Sequence, residues 1–172
     1  MGGFVTMKLI TTAPSRFESA IVAGAGWMRA DEDSAFFEEL AASLEAGEGI
    51  ASLIAELMPE GAEPPSEEDL EMINRMILAQ NDPLALAAAA RGLDKLNATT
   101  EQLRRNPVPT LAIIGSLDTL KDGVDAMTPV MKNLEVVVIE GADHMTTVML
   151  PQFTSQLADG MHEFLAGVCE CL

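Results

Sequence analysis

The sequence predicts an α/β fold, with about three parallel strands flanked by helices and a helical insertion. Three observations carry this. First, Pro109–Asp118 (PTLAIIGSLD) and Val136–His144 (VVVIEGADH) are short runs of β-branched and aliphatic residues, each ending in a glycine-bearing turn. Second, segments of helical periodicity lie between and after them. The resulting order of strand, crossover helix, strand and helix belongs to a parallel sheet covered on both faces. Third, the stretch from Asp31 to Asn81 is acidic, helical and Met-containing, which is the character of a lid or cap.

The elements follow in order. Met1-Gly2-Gly3 leads into FVTMKLITTA, whose Phe4, Val5, Met7, Leu9 and Ile10 predict a buried helix stopped by Pro14. Ser19–Ala25 (SAIVAGA) is short, apolar and glycine-flanked, so it reads as a buried strand. Asp31 or Asp33 caps a helix through Glu45, broken by Gly47 and Gly49. Ile50–Met58 is a second short helix, ended by Pro59, and PEGAEPP is a loop. Ser66-Glu67-Glu68-Asp69 is a capping-box-like start to a helix carrying Leu70, Ile73, Ile77 and Leu78 at helical spacing.

Beyond the insertion, Pro83–Arg91 is an alanine-rich helix, and Thr99 or Thr100 caps a short one through Arg105. Asn106-Pro107-Val108-Pro109 is a rigid entry to the strand Thr110–Ile114. Leu120–Met131 is a helical crossover interrupted near Pro129, and Glu135–Ile139 is the next strand. Pro151–Val168 closes the chain as an amphipathic helix, with Phe153, Leu157, Met161, Phe164 and Leu165 on one face. The expected organisation is 1–30 as helix and first core strand, 31–81 as the cap, and 82–172 as the rest of the core.

The 172 residues fit one domain, and 48% hydrophobic residues are enough for a core. Ten Lys+Arg against 27 Asp+Glu give a net charge of -17, which repels nucleic acid and anionic membranes. No run approaches the ~18 apolar residues of a membrane span, and no signal-peptide pattern opens the chain. Cys169 and Cys171 are too close for an unstrained disulfide and read as free thiols in a reducing cytoplasm. No phosphate-cradling loop or metal-ligand cluster stands out, so no metal or cofactor is expected.

In parallel α/β sheets, ligands bind beyond the carboxyl ends of the strands, where Asp118 and His144 both fall. A carboxylate can fix the tautomer of a histidine and stabilise its imidazolium, leaving the ring to act as general base. Alone, Asp118 reads as a turn residue and His144 as a loop histidine. Together, in this order, they suggest two-thirds of a catalytic triad. Asp143 is a poorer partner, since adjacent strand-end side chains diverge. Asp94 and Asp122 are reserve acids, and His162 reads as structural. Trp27 lines a substrate pocket or serves simple packing. The eleven methionines make ordinary core filling or an adaptable apolar pocket.

PTLAIIGSLD, the helix after it, LEVVVIEGADH and a final helix with PQF resemble the C-terminal half of an α/β-hydrolase. That family's chain order is nucleophile, acid, histidine. The resemblance implies Asp118 as the acid and His144 as the base. Met1-Gly2-Gly3 resembles the end of the family's nucleophile elbow, G-x-S-M-G-G, so the likeness covers most of the chain. It implies a serine one position before Met1, with the Met1 backbone amide in the oxyanion hole. No serine in the chain, Ser116 included, has a G-x-S-x-G setting.

The implied activity is serine-type hydrolysis of an ester or related small acyl substrate by a longer parent. This chain, lacking the nucleophile, is then expected to be inactive alone, as from a start placed too late. Two alternatives stay open. One is a non-catalytic truncated or partner-complemented half-domain, pairing with itself or another chain through an exposed sheet edge. The other is a relative with an aspartate nucleophile, such as a dehalogenase or epoxide hydrolase. Among serine members, esterase, lipase, lactonase and haloperoxidase-like chemistries are all open.

Overall fold

The computed structural model describes residues 1–28 and 34–171. The elements run α1 (Gly2–Thr12), β1 (Ala20–Ala23), α2 (Ser34–Glu45), α3 (Ala51–Glu56), α4 (Glu67–Gln80), α5 (Pro83–Gly92), α6 (Thr100–Arg105), β2 (Thr110–Gly115), α7 (Lys121–Met127), β3 (Leu134–Ile139), α8 (Thr146–Met149) and α9 (Pro151–Cys171). They divide into two compact units. One joins Met1–Ala30 to Leu96–Leu172, and the other is Asp31–Lys95.

In the first unit, β1, β2 and β3 form one sheet in that order, with both pairings parallel. Val22 lies opposite Ala112, and Ala112 opposite Val136. All six residues of β2 are buried, as expected of a central parallel strand, where neither face meets water and alternation disappears. Two cores follow from the strand's two faces. On one, Val22, Ala112 and Ile114 pack with Met7 and Ile10 of α1, Leu103 of α6, and Val124 and Met127 of α7. On the other, Leu111, Ile113 and Ile139 pack with Phe164, Phe153, Leu157 and Met161 of α9.

α1 departs from the expected buried helix. Met7 and Ile10 are buried, whereas Val5 and Leu9 are 39% and 43% exposed. A helix laid on one face of a sheet covers only one side, and these two residues sit four apart on the other. β1 has no partner among the described residues on its far side. The amides of Ala20 and Gly24 bond toward β2, to Pro109 O and Ile113 O. Strand alternation therefore turns the backbone groups of Ile21 and Ala23 toward the open edge.

In the second unit, α2 and α5 form the main packing pair, burying Leu40, Ala41, Leu44, Ala87 and Ala90. The unit runs to Lys95 and so takes in α5. Asp82 caps that helix, accepting from Leu84 N and Ala85 N, with Pro83 in the first turn. Ser66 caps α4 through Asp69 N, as its sequence predicts. The two aspartates expected to cap α2 lie outside the described residues.

Candidate functional site

The two turns that leave β2 and β3 lie against each other. Gly115 ends β2, and a Cβ there would sit 2.2 Å from the Ala142 carbonyl oxygen, so only glycine allows this approach. Three hydrogen bonds join the turns. Ser116 N donates to Ile139 O at 3.0 Å and Leu117 N to Ala142 O at 2.9 Å. In return, Gly141 N donates to Ser116 Oγ at 2.9 Å. Gly141 has φ +76°, a conformation that favours glycine.

This contact brings Asp118 and His144 together. Asp118 Oδ2 lies 3.0 Å from His144 Nδ1. Its Oδ1 accepts from Leu120 N at 2.9 Å. One carboxylate oxygen is thus tied to the chain entering α7, and the other faces the ring. The Asp118 side chain is 1% exposed and that of His144 25%. A carboxylate accepts only, so Nδ1 is the donor in this contact, and in a neutral ring Nε2 is then the acceptor. The ring also rests over Gly24, where a Cβ would meet His144 Cε1 at 3.5 Å. Gly24 has φ +61°, so the end of β1 forms part of the ring's seat without a side chain.

Asp143 is engaged elsewhere. Its Oδ1 accepts from Met145 N and Thr146 N, while its own amide donates to Thr146 Oγ1. That arrangement starts the one-turn helix α8, which sequence periodicity misses because four residues are too few to show a period. Asp122 lies in the first turn of α7, and His162 is exposed on α9.

Met1 precedes the first turn of α1. A Cβ on Gly3 would lie 2.5 Å from Ala25 Cβ and 3.5 Å from Ala23 O. The start of α1 therefore packs on the carboxyl end of β1, the same end on which His144 rests. Trp27 is held through both backbone and side chain, its own amide donating to Gly123 O at 3.1 Å. Its indole N–H donates to Ala98 O at 2.7 Å, and its ring packs against the α1-side core.

A cleft of about 720 Å³ lies at the opposite end of the strands from the acid and histidine. It is lined by Phe17, Glu18, Val108, Pro109, Glu135 and Val168 among others. Among the described residues no group of three His, Cys, Asp or Glu side chains could hold a metal ion. Among them too, no helix is long and apolar enough to cross a membrane.

No protein-family signature and no curated protein matches the chain. Solved structures do. A hydrolase from Pseudomonas aeruginosa PA01 is 22% identical with a TM-score of 0.65, over 95% of this chain and 61% of its own. A thermophilic esterase from Thermogutta terrifontis is 23% identical with a TM-score of 0.69, over 97% and 62%. An acetylester hydrolase from Corynebacterium glutamicum is 18% identical with a TM-score of 0.70, over 95% and 58%. The chain thus spans about three-fifths of the length of each.

Proposed function

We propose, from the premise that this chain carries part of an α/β-hydrolase fold, that Asp118 and His144 are the acid and base of a serine-type hydrolase. Its substrate is an ester or related small acyl compound, and the acting protein is a longer parent. The observation that supports this most is the Asp118 Oδ2 to His144 Nδ1 contact at 3.0 Å, with a buried carboxylate and a partly open ring.

In this reading Asp118 accepts the Nδ1 hydrogen and orients the ring. Nε2 takes the proton of the attacking hydroxyl and later returns it to the leaving alcohol. The attacking serine comes from the segment before Met1, and the peptide N–H of Met1 donates to the developing oxyanion. The helical insertion expected at 31–81 sets substrate choice in this reading. A short-chain p-nitrophenyl ester tests the reading in a parent extended upstream. His144→Ala should cut kcat by ~10³-fold or more. Undiminished turnover in that variant would sink the proposal, as would an upstream sequence without G-x-S before Met1. The 172-residue chain alone should show no turnover.

One observation favours a second reading, in which the chain pairs with another polypeptide. β1 leaves one edge unpaired among the described residues, with no Lys, Pro or bulge to blunt it. Size-exclusion chromatography with light scattering on the purified chain tests pairing with a second copy. A monomer at all concentrations excludes self-pairing.

A further inference from the structure

We infer that the Ser116 hydroxyl is a positioning group for the Asp118–His144 pair, a role that rests on the reading above. Asp118 and His144 stand on separate turns, and their spacing depends on how one turn is held on the other. The backbone supplies two bonds across this junction, both donated by the Ser116–Leu117 side, to Ile139 O and Ala142 O. Left there, the turn after β3 would be free to rock about its accepting carbonyls. The Ser116 hydroxyl adds the bond of opposite sense by accepting from Gly141 N at 2.9 Å. It is the only side-chain group in this set of three.

Its placement suits the task. Ser116 stands two residues before Asp118, and Gly141 three before His144, so the clasp sits at the root of both functional side chains. Gly141 is exposed, so water can satisfy its amide when the hydroxyl is gone. Loss of the clasp therefore shows as looseness of the histidine turn rather than as unfolding. Ser116 touches neither reacting atom and is not a nucleophile in this scheme. It acts through the geometry of the pair.

The test uses proton NMR on the purified 172-residue chain, following solvent exchange of the Gly141 amide and of the His144 ring N–H. Ser116→Ala should speed both by about tenfold, the equivalent of one lost hydrogen bond. Ser116→Thr, which keeps the hydroxyl, should restore both rates. Faster Gly141 exchange with an unchanged ring proton would mean that Ser116 only closes a turn, and would overturn the inference. So would unchanged rates at both positions, or failure of the threonine variant to restore them. A wild-type ring proton too labile to observe would overturn it as well. The hydrolase reading is judged separately, by ester turnover in the extended parent, so either can fail without the other.

Discussion

Gly26 and Gly123 meet backbone to backbone: a Cβ built on Gly26 lies 2.6 Å from the Gly123 Cα and 2.7 Å from Leu120 O. The contact lets the chain leaving β1 pass directly over α7, where Trp27 N donates to Gly123 O at 3.1 Å. Gly26→Ala cannot be absorbed by a rotamer change, because the obstructing atoms are backbone. It should destabilise the chain by ~1–3 kcal/mol, read as a lower urea midpoint. A change within ~0.5 kcal/mol would show that the two segments do not meet as described.

Gly167 is the opposite case. It lies inside α9, and a Cβ there has nothing within 4 Å. Gly167→Ala should therefore stabilise by ~0.5–1 kcal/mol, through helix propensity and a less flexible unfolded chain. The pair of glycine variants has opposite expected signs in one denaturation experiment, which guards against a general effect of adding a methyl group.

Trp27→Phe keeps most of the ring packing but removes the indole donor. Ala98, whose carbonyl accepts that hydrogen at 2.7 Å, is only 6% exposed. Losing a partner there should cost ~1–3 kcal/mol. Circular dichroism is the suitable probe, because Trp27 is the only tryptophan and fluorescence would vanish with it. A variant as stable as wild type would make the indole bond incidental.

Arg91 of α5 donates to Glu38 and Glu45 of α2, with Nη2 2.8 Å from Glu38 Oε1 and Nε 2.9 Å from Glu38 Oε2. Hydrogen bonding to Arg91 holds both carboxyls below their ordinary 4.5, against a smaller opposing desolvation. A carboxylate lowered by folding adds stability above its unfolded value and gives it up as pH falls through the folded value. Stability should thus drop below pH 4.5, and Arg91→Met should flatten that drop. The groups are exposed, so added salt should flatten it too. Identical acid profiles for variant and wild type would remove Arg91 from the account.

Much of this architecture is legible from local signals. β2 and β3 stand out as aliphatic runs leading into glycine-bearing turns, β2 with a Pro109 entry, and α9 shows a continuous apolar face. Thr99 closes a capping box with Gln102 that the sequence places within one residue. The strand-end positions of Asp118 and His144 follow from the same punctuation. Other features are illegible because they are made by distant parts of the chain. Gly24 lies under His144, and Ser116 meets Gly141 across 25 residues, with no periodicity to announce either. The one-sided exposure of α1 depends on how much of the helix the sheet can cover, which its own apolar residues do not reveal. α5 joins the 31–95 unit because its small alanine face fits α2, a match invisible in either helix alone.

The junction of the two turns depends on the register that sets Gly115 opposite Ile139. A slip of one residue would reverse which side chains face each core, so the register is held by nearly every buried strand residue. The same slip would carry Ser116 away from Gly141 and Asp118 away from His144. Assembly of the acid–histidine pair is therefore not a late local adjustment but a by-product of zipping β3 onto β2. On heating, the ring proton of His144 should be lost no later than the strand amides, because the pair cannot outlast the sheet that aligns it.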